Sequence, residues 1–335
     1  MIKTKSFGLA YSLIDPNCKD PNVNPIFDVH INFWNISKKE SPFIDFGIKI
    51  TNYKNVHKIT FSAPLSVSVE EIFDLSYVLD KEETQLIFSD LTYKFESIPK
   101  KYSLIHNDSE KIVFLPIKND LNAKTFITEV ESNNTVEQNF NMTIDLTQYN
   151  SIPNDATSVY FRFRIKNDSV AEIFLQKLQE QNYYLESAFV ERQIIDIKFN
   201  DARNIDRSEV SRVEKENCAY AKFRSIHLFL MVPSSYNVTV WDNFSECRQL
   251  EDGWDKYLLK NDSNNINIKN ILVYHWKKKA YRKNYFDKFT QLIKIELKDT
   301  NIKLIFYYCI IIVILGALGS GLATFIQNLL YLGRC

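Results

Sequence analysis

Apolar and polar residues alternate strictly in one segment after another of this chain. In IFDVHINFW, Phe27, Val29, Ile31 and Phe33 fall on one side of an extended backbone, and Asp28, His30 and Asn32 fall on the other. FIDFGIKIT sets Ile44, Phe46, Ile48 and Ile50 on a single face, and KITFSAPLSV does the same with Ile59, Phe61, Ala63, Leu65 and Val67. NMTIDLT, SVYFRFRIK and IIDIKFN continue the pattern. Successive side chains of a strand point to opposite faces, so a period of two predicts strands with one buried face. Polar connections between them predict antiparallel sheets packed face to face. RSIHLFLMV is apolar on both faces and is expected to be a central, fully covered strand.

Helical signals are few. Ser68 and Glu71 stand in capping-box register and predict a helix over residues 69–80. Ser169 opens a segment with Ala171, Phe174, Leu175 and Leu178 at helical spacing, and DRSEVSRVEKEN reads as a short polar helix. Tyr281, Tyr285, Phe289, Leu292 and Ile293 form an apolar stripe between lysines, which predicts a basic amphipathic helix. The expected fold is therefore mostly β, an antiparallel β-sandwich-like soluble region with a few short helices. Its expected parts are a β-sandwich-like domain over 1–168 and a second β-rich unit with flanking helices over 169–276. A basic amphipathic juxtamembrane helix over 277–303 and one C-terminal transmembrane helix over 304–332 complete it.

The last of these rests on LIFYYCIIIVILGALGSGLATFI, residues 304–326, which contain no charged residue. A helix of that length measures about 34 Å, enough to cross a hydrocarbon core of roughly 30 Å. At about 100° per residue, Cys309, Gly316, Ser320, Ala323 and Gln327 share one narrow face. Small and polar residues in such a stripe let helix backbones approach closely in lipid, so association of copies through this helix is expected.

Charge adds an orientation. Lys and Arg equal Asp and Glu at 41 each, yet residues 277–303 hold nine basic against three acidic side chains. Lys277, Lys278, Lys279, Arg282, Lys283 and Lys288 are expected at a membrane surface. Because the basic excess precedes the span, the positive-inside tendency places the soluble region in the cytoplasm, with the chain tail-anchored. The cysteines, at 18, 218, 247, 309 and 335, form neither a disulfide framework nor a zinc pattern, which suits a reducing compartment. The sequons at Asn107, Asn167 and Asn261, each in NDS, read as turn chemistry.

Candidate chemistry is sparse. Before the apolar segment only Gly8, Gly47 and Gly253 occur, so no glycine-rich phosphate loop can be written. The histidines are isolated in sequence, without HExxH or HxH spacing, and no metal site is expected. Asp28, His30 and Asn32 share a polar strand face that reads as solvent-facing. Arg162, Arg164 and Lys166 share another, a row of cations suited to an anionic ligand and expected to be exposed. Arg203 and Arg207, in the turn after IIDIKFN, are a second candidate binding element.

These observations describe a tail-anchored, cytoplasm-facing membrane protein with a β-rich binding or sensing domain. No catalytic residue and no cofactor are expected. The expected partners are the lipid bilayer, further copies of the chain, and a protein or anionic small molecule. Nucleic acid is not among them, since residues 1–275 are acidic overall and the aromatics alternate as core. Two alternatives stand beside this reading. One is an oligomerising membrane-perturbing effector, which resembles in architecture those of prokaryotic antiviral and cell-suicide systems. The other is an enzyme with an unrecognised site.

Overall fold

The computed structural model describes residues 5–16, 24–37, 40–88, 92–98, 102–117, 127–129, 140–149, 152–178, 190–240, 244–259, 269–282, 284–298 and 302–332. The chain begins with β1 (Gly8–Leu13), β2 (Ile26–Trp34), β3 (Phe43–Thr51), β4 (Val56–Ala63) and β5 (Ile72–Asp74), followed by α1 (Lys81–Phe88). Next come β6 (Lys94–Ile98), β7 (Tyr102–His106), β8 (Lys111–Phe114), β9 (Ile127–Glu129), β10 (Phe140–Asp145) and β11 (Ser158–Ile165). After α2 (Ser169–Phe174), β12 (Leu175–Lys177) and β13 (Val190–Phe199) lie α3 (Arg207–Lys215), β14 (Ala219–Tyr220) and β15 (Phe223–Pro233). The remaining elements are β16 (Tyr236–Val240), β17 (Glu246–Gln249), α4 (Trp254–Leu259), β18 (Ile271–Lys279), β19 (Phe289–Lys298) and α5 (Ile302–Leu332).

Among the described residues the strands form three sheets. The central one runs β17-β18-β15-β2-β3-β11-β8-β7-β6, with β5 also on β11; the smaller two run β14-β1-β4-β10-β9 and β12-β13-β19-β16. The β15–β2 and β11–β8 pairings are parallel. The fold is mostly β and sandwich-like, as the alternation predicts. One face of the central sheet is apolar across β15, β2, β3 and β11 and packs on both smaller sheets, with Phe46 and Phe163 meeting Phe61, Met142, Ile195, Ile197 and Ile295 in one core. Phe46 lies 4.7 Å from Phe61 and 4.9 Å from Phe7 between ring centroids, the tilted and edge-on geometry that aromatic quadrupoles favour.

Several expectations are corrected. The boundary at Ser169 does not divide the sheets: β15, β17 and β18 join β2, β3 and β11 in the central sheet. Ser68 and Glu71 do form a capping box, but it closes a single 3-10 turn over Val69–Glu71, because β5 then pairs with β11. Among the described residues of 277–303 the expected basic amphipathic helix does not form. Lys277–Lys279 end β18, and β19 is a strand in register with β13. Ile293, Ile295 and Leu297 are buried while Lys294 is not, a period of two that the stripe of Tyr281, Tyr285 and Phe289 concealed. The helices expected after Ser169 and at Arg207 are present, the first only six residues long.

The connection between β18 and β19, which passes from the central sheet to a smaller one, therefore stands at the opposite end of β19 from α5, about 30 Å away at about 3.4 Å per residue. Lys277, Lys279, Arg282 and Lys288 are exposed there, and Lys278 lies over the Phe286 ring at 4.6 Å. Lys283 lies outside the described residues. α5 starts four positions after β19 ends, and its stretch Ile305–Asn328 is long and apolar enough to cross a membrane, with none of it buried. A β-rich region followed by one such helix fits a tail-anchored protein.

Candidate functional site

The other face of the central sheet is polar, and it is covered rather than solvated. Strand register lines up its residues across four adjacent strands. His227, His30, Gly47 and Arg162 form one row, and Phe229, Asn32, Asp45 and Arg164 form the next. α1, α4 and the segment around Leu75–Leu79 close over this face through Leu75, Leu79, Leu86, Trp254, Tyr257 and Leu258. Arg162 and Arg164 are consequently 0% and 1% exposed, which corrects the expectation of an exposed cationic row.

Burial of two guanidiniums demands partners, since an unpaired charge in a dry interior is strongly disfavoured. Arg164 donates Nε to Asp45 Oδ1 at 2.7 Å and Nη2 to Oδ2 at 3.1 Å. Asp45 Oδ2 also accepts from Trp34 Nε1 at 2.9 Å and from the Tyr257 hydroxyl at 2.8 Å. Arg162 donates Nε to Tyr257 at 2.7 Å and Nη1 to Tyr160 at 3.0 Å. Both tyrosines are pushed above their ordinary range, chiefly by burial, so they act as neutral hydroxyls. Burial also opposes the charge on Arg162, but Tyr257, Tyr160 and Asp45 outweigh it and hold its guanidinium protonated.

Gly47 makes this network possible. A Cβ there would stand 2.0 Å from the Tyr160 hydroxyl, so the bare backbone lets that hydroxyl lean across the row to His30 Nδ1 at 3.2 Å. The Tyr160 oxygen also accepts from Arg162; in the tautomer where its proton goes to Nδ1, the neutral His30 ring carries its own proton on Nε2. His30 is held well below its usual range by burial, then by His227, Arg162, Lys49 and His275. His227 Nδ1 and His275 Nε2 are 3.1 Å apart, and burial with neighbouring cations lowers both rings to about 4.

Beside this network lies a narrow cleft with about 340 Å³ of empty space, its open mouth included. Its walls are Leu86, Ile87, Phe229, Met231, Leu250, Trp254 and Val273; its polar groups are His30, Asn32, Arg162 and a rim pair, Arg248 and Glu251. Two buried atoms of these residues have no hydrogen-bond partner, Arg162 Nη2 and Asn32 Oδ1. Among the described residues Asp45 is hydrogen-bonded to Arg164, while Arg162 donates to the two tyrosine hydroxyls, so two guanidiniums share this network with one carboxylate and it keeps one positive charge in excess.

Lys166 lies on the same strand face, half-buried, with its ammonium 5.9 Å from the Phe43 ring centroid. Arg203 and Arg207 are elsewhere. They follow β13 in the opposite layer, where Arg203 is 77% exposed and pairs with Asp201 at 3.4 Å. The structure thus separates the two candidate basic groups. Sequence reasoning missed Asp45, Tyr160, Tyr257, His227 and His275, and it assigned Asp28, His30 and Asn32 to solvent. In α5, Cys309, Gly316, Ser320, Ala323 and Gln327 are all exposed along one face. Comparison of the chain with protein-family models and with curated proteins gives no match.

Proposed function

We propose that this chain is a tail-anchored binding module, held in a membrane by α5, whose soluble part recognises a small anionic ligand on the covered polar face of its central sheet. The observation that carries the reading is Arg162, a fully buried guanidinium on the wall of a cleft with Nη2 unpartnered. A buried donor without an acceptor is costly, and a charged one more so, unless something enters to complete it. The cleft offers donors, an acceptor and apolar walls but no hydroxyl or thiol nucleophile, which favours binding over covalent catalysis. The basic excess before the span supports a cytoplasmic soluble region, and the small-residue face of α5 supports assembly of copies within the bilayer.

The test uses the full chain in lipid nanodiscs, exposed to small-molecule extract of the host and examined by native mass spectrometry. An anionic species released from the wild type and absent from Arg162→Met is the expected result. Equal recovery from both proteins, with the variant folded, would overturn the reading.

A further inference from the structure

The cations at the far end of β19 from α5 stand on a built platform. Ala280 N–H donates to the Arg224 carbonyl at 2.7 Å, and Phe223 and Phe286 exchange backbone hydrogen bonds at 2.8 and 3.1 Å. Phe286 packs on Phe223 with ring centroids 5.8 Å apart, and Lys278 crosses the Phe286 ring to donate to the Lys288 carbonyl at 3.1 Å. A tight turn shapes the tip, where Asn284 N–H donates to the Tyr281 carbonyl at 3.2 Å. The connection between β18 and β19 is therefore fixed to the start of β15, and the fold sets what it turns outward.

It turns cations outward. Lys277, Lys279, Arg282 and Lys288 are exposed, and among the described residues no ion pair takes up any of them. Exposed lysines elsewhere are paired, Lys177 with Glu191 and Lys256 with Glu82. Tyr281 is 72% exposed with the Arg282 guanidinium 5.1 Å from its ring centroid, and Tyr285 is exposed beside them. Tyrosines among unpaired cations suit a layer of anionic headgroups, where the charges meet the cations and the amphipathic rings sit between water and lipid.

The tether brings that layer within reach. Lys298 ends β19 and Ile302 opens α5, and four steps of chain span at most about 14 Å, so β19 must end near the bilayer that α5 enters. An upright β19 would lift the basic end about 30 Å from the surface, well beyond a screening length of about 10 Å. A β19 lying along the surface brings it down to the headgroups. The outward side of that strand and of β13 carries no acidic excess to resist this. Arg192 and Lys294 both meet Glu296, Lys198 meets Asp196, and Leu292 is exposed between them.

From this we infer that the connection between β18 and β19 rests on anionic lipid headgroups of the leaflet entered by α5, so that the soluble region lies along the membrane. The inference rests on the reading of α5 as a membrane span and adds a second, charge-selective contact with the same bilayer.

The test places a photo-crosslinking benzophenone side chain at Tyr281 in the full chain, reconstituted in nanodiscs of phosphatidylcholine with or without phosphatidylserine. Adducts formed on irradiation are identified by mass. Phospholipid adducts at residue 281 are expected in the discs containing phosphatidylserine. Their yield should fall on the order of tenfold or more without that lipid, in 1 M salt, or when Lys277→Gln, Lys279→Gln, Arg282→Gln and Lys288→Gln are combined. All four side chains are exposed, so the variant should melt with wild type. Should it fail to fold, the lipid and salt series on the unaltered charges decide. Adducts to a second chain in place of lipid would overturn the inference, as would no adduct, or lipid adducts indifferent to charge and salt. A chain that does not enter nanodiscs at all would overturn the span reading and this inference with it.

Discussion

Arg164 and Asp45 face each other directly across β3 and β11, joined by two hydrogen bonds and shut away from water at 1% and 0% side-chain exposure. The Arg164 guanidinium also lies over the Phe43 ring, 4.4 Å from its centroid. A planar, delocalised cation suits both contacts at once, which a lysine ammonium does not.

Asp45→Asn should therefore be severely destabilising. It leaves Arg164 and Arg162 buried without their carboxylate, and breaking one side of a buried pair typically costs about 3–5 kcal/mol. Replacing both partners together, as Asp45→Leu with Arg164→Met, should cost less than the single change. Urea denaturation of the three proteins checks the order. A loss below about 1 kcal/mol for Asp45→Asn would mean the pair is solvated after all.

Gly47→Ala should disturb the site without touching a charged residue. The added methyl would meet the Tyr160 hydroxyl at 2.0 Å and its Cζ at 2.7 Å, and β11 is pinned between β3 and β8, so the ring must turn away. Overpacking of this kind costs about 1–3 kcal/mol. Tyr160→Phe should recover part of that stability but not the His30 contact. A double-mutant cycle measures this, and strict additivity would show that residue 47 and the hydroxyl do not meet.

The strands were legible because their alternation is local. β2, β3 and β11 could each be read from nine or so consecutive residues, and the lone apolar span from its length. What was not legible is that these three strands lie side by side. Asp28, His30 and Asn32, then Asp45, Gly47 and Lys49, then Arg162 and Arg164 each look like a solvated face when taken alone. Only adjacency stacks them into one polar layer, and while β2 and β3 are neighbours in sequence, β11 joins them from more than a hundred residues away. The cover was equally hidden. α1 (KEETQLIF) and α4 (WDKYLL) are too short to show a periodic apolar face, yet they keep water from the arginines. One signal was available: the strand cations are arginines with a lone aspartate on a neighbouring strand, amid tyrosine and tryptophan. That composition suits buried pairing better than solvation.

Acid should weaken the fold between about pH 6.5 and 4. His227 and His275 titrate near 4 when folded, against about 6.5 in an unfolded chain, so the unfolded state binds the extra protons in that window. Their contribution is complete above about 6.5 and is lost as pH falls toward 4. Burial is the leading cause for both. His275 and Lys277 add to it at His227, while at His275 Glu246 opposes it and Lys277 and Arg248 add to it. His227→Phe with His275→Phe keeps the rings and removes the protons. The double variant should take up about two fewer protons on unfolding across this range. An unchanged slope of stability against pH would show that these rings are already open to water.

The last expectation concerns α5. Gly316, Gly319 and Gly321 have nothing within 4 Å of a would-be Cβ, and the Thr324 hydroxyl is satisfied by the Ser320 carbonyl at 2.9 Å inside the same helix. The face bearing Gly316, Ser320 and Ala323 is therefore short in side chains, which permits close backbone approach by another helix. Gly316→Ile with Ser320→Ile adds bulk on that face and keeps the span apolar, so insertion should persist. Crosslinked species larger than one chain should disappear from the membrane fraction, because close packing between spans is lost. Anion binding in the cleft should be unaffected, since α5 contributes nothing to its lining. A span of leucines that crosslinks as well as the native one would reduce α5 to an anchor.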